Sequence, residues 1–349
     1  MKKMIYKDGH YAGCYFRSTV KKPELKVLLQ ITERCNLHCK HCFNSSINIG
    51  DEISCQVIEE TIIPKLVSAN VTRVTLTGGE PMVHPEVLEI ITAFIKKGIH
   101  ITLCTNGTGF SEEIIDRLYE LGNVHINVSL DGFSFNSHGR FRGFSNEQSF
   151  NRVIHNIRMF GKRKLLNGIL CAPNHFSDDE EYINLCKFAK ENHARYVLFN
   201  PLSKFGRGNE TQNLSYTMQE LMNLRKSIEA SNLENETFQI VFIRIFKEKA
   251  SLNCEINCGY EIPYIFVDGS VAVCPYMVFA TDSIQSKYQK KDFLYGNILD
   301  DDFNLLYAMK QYSFLNKEEI RKRGCIASKI TNGLRLIDFD NEIYNVEEK

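Results

Sequence analysis

Three cysteines stand within eight residues, Cys35, Cys39 and Cys42, in the run Glu33-Arg34-Cys35-Asn36-Leu37-His38-Cys39-Lys40-His41-Cys42, spaced C-x3-C-x2-C. Three thiolates on one short loop can wrap three irons of a four-iron cubane and leave the fourth open to an outside ligand. A structural zinc ion needs four closed ligands, usually from two C-x2-C pairs, and no matching second pair stands here. A later set, Cys254, Cys258, Cys274 and Cys325, offers four thiols, which suit either a second iron-sulfur cluster or a zinc ion. Of the remaining cysteines, Cys14, Cys55, Cys104, Cys171 and Cys186, several fall in segments that read as strand or helix, where a thiol packs as a small hydrophobe.

Other motifs could bind a small molecule beside the first thiols. In Thr77-Gly78-Gly79-Glu80-Pro81 the glycines let the backbone approach a ligand closely, and the carboxylate can accept hydrogen bonds from an ammonium group; alone, the run is equally a glycine turn. Thr105-Asn106-Gly107 and Ser129-Leu130-Asp131-Gly132 are each a ligand contact or a turn with a helix cap. By themselves Arg152 reads as an exposed helix arginine and Gly206-Arg207-Gly208 as a plain loop.

These residues need a frame. From Lys26 to about Pro201, short runs of branched apolar residues alternate with amphipathic segments. The expected strands are 27–32, 73–77, 100–104, 124–130, 166–171 and 195–200; the expected helices are 54–68, 85–97, 111–121, 147–160, 178–192 and 217–230, with Ser111 and Asp178 as N-caps. Six strand-then-helix repeats predict an α/β fold, a parallel sheet with right-handed crossovers curled into a partial (β/α)6 barrel. In such sheets the loops at the C-terminal strand ends carry the chemistry, and the motifs above fall on those loops. After a further strand at 239–245 the pattern changes to short strands, glycine turns and clustered cysteines, a small α+β domain. The expected division is an N-terminal extension at 1–25, the barrel at 26–235 and the Cys-rich domain at 236–349.

Composition excludes several classes. Lys and Arg total 42, as do Asp and Glu, so there is no basic excess for a phosphate backbone and no nucleic-acid partner is expected. The N-terminal Met1-Lys2-Lys3-Met4 run leads into no apolar stretch of a secretory signal, and no segment approaches a membrane span. Twelve cysteines without an export signal fit a reducing cytoplasm.

In these motifs and their order, from about Val27 onward, the chain resembles the radical S-adenosylmethionine (SAM) superfamily. The resemblance implies an enzyme with a [4Fe-4S] cluster on Cys35, Cys39 and Cys42 whose open iron is chelated by the amino and carboxylate groups of SAM. His41 takes the place where an aromatic ring commonly precedes the third cysteine. By the same resemblance Gly78, Gly79 and Glu80 receive the SAM amino group, Ser129 and Asp131 contact its carboxylate and ribose, Asn106, Arg142-Gly143 and Arg152 join the SAM-binding set, and Gly206-Arg207-Gly208 resembles a further family element. Reductive cleavage of SAM then gives methionine and a 5'-deoxyadenosyl radical that abstracts hydrogen from the substrate. The C-terminal region resembles a SPASM or twitch extension: Cys258, Gly269 and Cys274 match its first element and Gly324-Cys325 its last position. Tyr312, Leu315 and Arg321 stand where other SPASM cysteines would be, which implies one auxiliary [4Fe-4S] cluster, on Cys254, Cys258, Cys274 and Cys325, working in electron transfer.

The first functional reading is therefore an oxidoreductase that cross-links, oxidises or epimerises a ribosomally synthesised peptide. The second is a dehydrogenase or decarboxylase of a small molecule, a sugar or haem precursor. A protein that only binds a partner through iron-sulfur or zinc would leave Gly78-Gly79-Glu80-Pro81 without purpose. Implied partners are an electron donor such as flavodoxin or ferredoxin and, because the segment before Val27 is short for a leader-recognition domain, a separate peptide-recognition protein. Epimerisation needs a hydrogen donor, for which Cys14 and Cys171 are the candidate thiols. Sulfatase-maturing relatives carry an aspartate where this chain has Pro275, leaving Tyr276 as the nearest titratable group.

Overall fold

Strand periodicity builds the two faces on which the site depends. In β1 (Leu25–Thr32), Val27, Leu29 and Ile31 enter the apolar core, while Lys26, Leu28 and Gln30 take the opposite phase. The computed structural model describes residues 23–202, 205–242, 262–283 and 289–312. β2 (Val71–Gly78), β3 (His100–Thr105), β4 (Val124–Ser129), β5 (Leu166–Cys171) and β6 (Tyr196–Phe199) follow, each the parallel neighbour of the one before. All six expected strands are present. The resulting fold is the expected α/β parallel sheet of strand-helix repeats, and its order β10-β9-β8-β1-β2-β3-β4-β5-β6-β7 leaves it open at β7 and β10.

The sheet does not stop at residue 235. β7 (Gln239–Phe242) pairs in parallel with β6, so it extends the barrel sheet rather than starting a separate one. On the other edge β8 (Tyr264–Ile265) pairs in parallel with β1, and β9 (Ser270–Ala272) and β10 (Leu294–Asn297) follow antiparallel. Both additions satisfy backbone donors and acceptors that β1 and β6 would otherwise present as open edges.

The crossover helices begin where short polar side chains can accept the first free N–H groups. Ser111 accepts from Ile114 N, Asp178 from Glu181 N, and Thr217 forms a reciprocal box with Glu220. The first helix is irregular: Cys55–Val57 and Ile63–Ser68 are α-helical around a wider π turn, Ile58–Ile62. Pro64 explains this, since it cannot donate to the carbonyl four residues back and its ring crowds that carbonyl. Ile90, Ile91 and Phe94 of Val87–Lys96, and Ile115 and Leu118 of Glu112–Leu121, fill the core against the sheet. Among the described residues no helix is long and apolar enough to cross a membrane. Cys14, Cys254, Cys258 and Cys325 lie outside the described residues; Cys274 is buried just before the helix Pro275–Ser283.

Candidate active site

The cysteine loop leaves β1 at Thr32 and is fixed by its own backbone. Arg34 N donates to Thr32 Oγ1 at 3.0 Å, Cys35 N to the Ile47 carbonyl at 2.6 Å and Lys40 N to the Phe141 carbonyl at 3.0 Å. The loop after β2 lies directly against it, with Gly79 N donating to the Thr32 carbonyl and Glu80 N to the Arg34 carbonyl, both at 2.9 Å. A Cβ on Gly78 would collide with the Thr32 carbonyl oxygen, and one on Gly79 with that of Arg34. The two glycines therefore serve a close approach of two backbones, a purpose the sequence reading had given to a ligand.

These loops enclose a cleft of about 1130 Å³, part of it open solvent. Cys35, Cys39, His41 and Cys42 line it from β1, Gly78, Gly79 and Glu80 from β2, Asn106 from β3, and Ser129 and Asp131 from β4. Every one of these expected site residues is thus brought to one place. Arg152 is not: it is exposed on the helix Glu147–Lys162 and lines a neighbouring groove with Asn36, Thr108 and Ser149.

Charge inside the cleft is organised by one buried pair. Arg142 Nε donates to Asp131 Oδ2 at 2.6 Å, and Asp131 Oδ1 accepts from Ala172 N at 2.7 Å. Burial alone would raise the Asp131 carboxyl, yet Arg142, His41, His138 and the Ala172 N–H together hold it below the ordinary value. Arg142 Nη1 also stands 3.9 Å from Cys39 Sγ and its Nη2 3.5 Å from His41 Nε2. The His41 ring stacks on Phe141 with centroids 4.2 Å apart, which fixes its plane. Burial drives His41 down to about 4, so it is neutral. The Cys35 and Cys39 thiols are pushed up to about 11 and about 12, first by burial, and a bound cation is what removes that penalty on their thiolates.

Glu80 is more committed than expected. Its Oε1 accepts from Met82 N at 3.1 Å and from Thr105 Oγ1 at 2.6 Å, and its Oε2 from Asn106 N at 2.6 Å, tying the ends of β2 and β3 together. Burial raises its carboxyl, and the three donors pull the other way. Glu80→Gln places an amide donor against at least one of these donors and is expected to cost about 1–3 kcal/mol in urea unfolding.

The thiols offered as hydrogen donors divide differently from the sequence reading. Cys171 borders the cleft, but its side chain belongs to the core with Cys186 and Leu185, and burial raises its thiol well above the ordinary value. Cys104, assigned to the core, has the opposite phase from Ile101 and Leu103; it accepts from Asn127 Nδ2 at 3.7 Å and lines the cleft. Tyr276 lies in the helix Pro275–Ser283, and Cys14 is outside the described residues. Asn200, after β6, was missed; its place at a strand end was the available signal.

A model of the Radical SAM superfamily matches residues 29–188. The AdoMet-dependent heme synthase of Methanosarcina barkeri is 30% identical over 194 residues, 53% of this chain and 53% of its own length. The antilisterial bacteriocin subtilosin biosynthesis protein AlbA of Bacillus subtilis is 24% identical over 287 residues, 81% of this chain and 59% of its own. The chain therefore spans between half and three fifths of the length of these curated relatives. The fold resembles Streptococcus suis SuiB bound to precursor peptide SuiA, with TM-score 0.65 and 17% identity over 88% of this chain and 73% of that one.

The superfamily implies a [4Fe-4S] cluster and SAM, and the residues present fit both. Three thiols line one cleft with a guanidinium beside one of them. Around the remaining space His41 Nδ1, Asn200 Oδ1 and Arg207 Nη2 are buried without a protein partner, as donors and acceptors awaiting a polar ligand would be. Residues 29–188, which carry this cysteine loop, Gly78-Gly79-Glu80 and the Asp131–Arg142 pair, are a radical SAM domain.

Proposed function

We propose that the chain is an enzyme that reductively cleaves SAM and uses the resulting 5'-deoxyadenosyl radical to modify a ribosomally synthesised peptide. The observation that carries this reading is the convergence of three thiols, Gly78-Gly79-Glu80 and the Asp131–Arg142 pair on one cleft. Cys35, Cys39 and Cys42 would hold the cluster, which when bound would supply the electron that breaks a carbon-sulfur bond of SAM. Arg142, kept charged by Asp131, offers a cation to a carboxylate bound beside Cys39. His41, held flat by Phe141, presents Nδ1 without a protein partner. Leu170, Leu198 and Leu202 give the cleft apolar walls that exclude water from a reactive intermediate.

A peptide substrate is favoured by the extent of the likeness to the subtilosin protein, which covers 81% of this chain and so extends well past residue 188. A small molecule such as a haem precursor is the second reading, supported by the heme synthase at 30% identity over a shorter stretch. Deuterated precursor peptides encoded beside the gene, incubated anaerobically with SAM and reductant, should pass deuterium into 5'-deoxyadenosine. Label arriving only from a porphyrin substrate would replace the first reading by the second.

The auxiliary cluster on Cys254, Cys258, Cys274 and Cys325 belongs to the same proposal, as do a flavodoxin or ferredoxin donor and a separate peptide-recognition protein. Reconstituted protein should hold about eight irons, two cubanes. Cys325→Ala should lower that count and end substrate oxidation while SAM cleavage persists. A count near four with stoichiometric zinc in the wild type would remove the auxiliary cluster from the account.

A further inference from the structure

The loop after β6 reaches across to the cysteine loop, and the chemistry above makes no use of the bonds that join the two loops. Four strands separate β1 from β6 in the sheet, so loops leaving their C-terminal ends meet only over the mouth of the curled sheet. They meet at Arg207. Its Nε donates to the Cys39 carbonyl at 2.8 Å, its Nη1 to the Ser46 carbonyl at 3.1 Å and its backbone N–H to the Cys42 carbonyl at 3.0 Å. Thr211 Oγ1 adds a bond to the Lys40 carbonyl at 2.9 Å. Gly206 has φ +52°, and a Cβ there would stand 2.5 Å from the Cys42 carbonyl oxygen and 2.7 Å from that of Phe43. Only glycine lets the two backbones come this close in that conformation.

The carbonyls of Cys39, Lys40, Cys42 and Ser46 are thereby held from the opposite wall of the cleft. The guanidinium fork is not used up: Nη2 is buried without a protein partner, on a residue that lines the cleft. A planar fork with several fixed donors suits this task, since a lysine would present one point charge and could not span the Cys39 and Ser46 carbonyls with the same geometry.

We infer that Arg207 is a positioning residue that clamps the thiol-bearing loop across the cleft and keeps its remaining N–H for an acceptor on the molecule bound there. The inference rests on Cys35, Cys39 and Cys42 holding a cluster. Wild-type protein that assembled no cluster at those thiols would defeat that reading, whereas a difference between wild type and Arg207 variants tests the clamp.

Reconstituted wild type, Arg207→Gln and Arg207→Lys are challenged anaerobically with a ferrous-iron chelator, and loss of visible cluster absorption is timed. SAM affinity is measured on the same loaded proteins by the change in the reduced cluster's electron paramagnetic resonance spectrum. Loss of charge-assisted bonds to two carbonyls should speed one phase of iron release about tenfold in both variants and weaken SAM about tenfold in Arg207→Gln. Release rate and SAM affinity both equal to wild type in Arg207→Gln would overturn the inference. Full rescue by Arg207→Lys would do so too, because charge alone would then suffice. Should Arg207→Gln fail to fold, Thr211→Val removes one strand of the clamp with Arg207 in place; it should speed release about threefold or more, and a wild-type rate there would also overturn the clamp.

Discussion

Protein carrying Cys35→Ala, Cys39→Ala and Cys42→Ala together is expected to make no 5'-deoxyadenosine from SAM and dithionite, and to take up about four irons fewer than wild type. The loop itself should survive. Its shape comes from backbone bonds such as Cys35 N to the Ile47 carbonyl and Lys40 N to the Phe141 carbonyl, which alanine keeps. What disappears is the set of thiols on the cleft wall, and with it the electron entry point that the proposed function assigns to them. Chromatography of the nucleoside products together with an iron assay checks both halves; undiminished cleavage by the triple variant would mean that the electron enters elsewhere.

Asp131→Ala is expected to destabilise the fold by about 3–5 kcal/mol, because it leaves the buried Arg142 guanidinium without its counter-ion. Asp131 is 1% exposed and Arg142 9% exposed, so water cannot replace the lost carboxylate. The Ala172 N–H also loses its acceptor. Asp131→Asn keeps the shape and one acceptor oxygen and should cost less. Urea unfolding of the three proteins measures the difference, and an alanine variant within about 1 kcal/mol of wild type would show the pair to be solvated.

The parallel strands were legible because each is a short run of branched apolar residues between amphipathic segments, and in β1 Val27, Leu29 and Ile31 enter the core in strict alternation. Helix starts were legible where one side chain does the capping, as at Ser111 and Asp178. Cys171 was read both as a core thiol and as a candidate hydrogen donor, and phase separates the two: the β4–β5 register shifts between Ile126 and Asn127, and beyond it Cys171 falls in phase with Ile169 of the core. β8 has two residues and owes its place to pairing with β1, which local pattern does not encode. Arg142 was a candidate, but its bond to Asp131 depends on a π turn, Phe135–Gly139, between them. Gly78 and Gly79 were rightly read as close-approach residues, while the surface they approach became visible only in three dimensions.

The central claim is that SAM sits in this cleft on the cluster held by Cys35, Cys39 and Cys42. Electron-nuclear double resonance on reduced, reconstituted protein with SAM carrying 15N at its amino group tests it most directly. The account predicts a 15N hyperfine coupling to the reduced cluster, absent from the triple cysteine variant. A reduced cluster on these cysteines with SAM bound and no 15N coupling would contradict it.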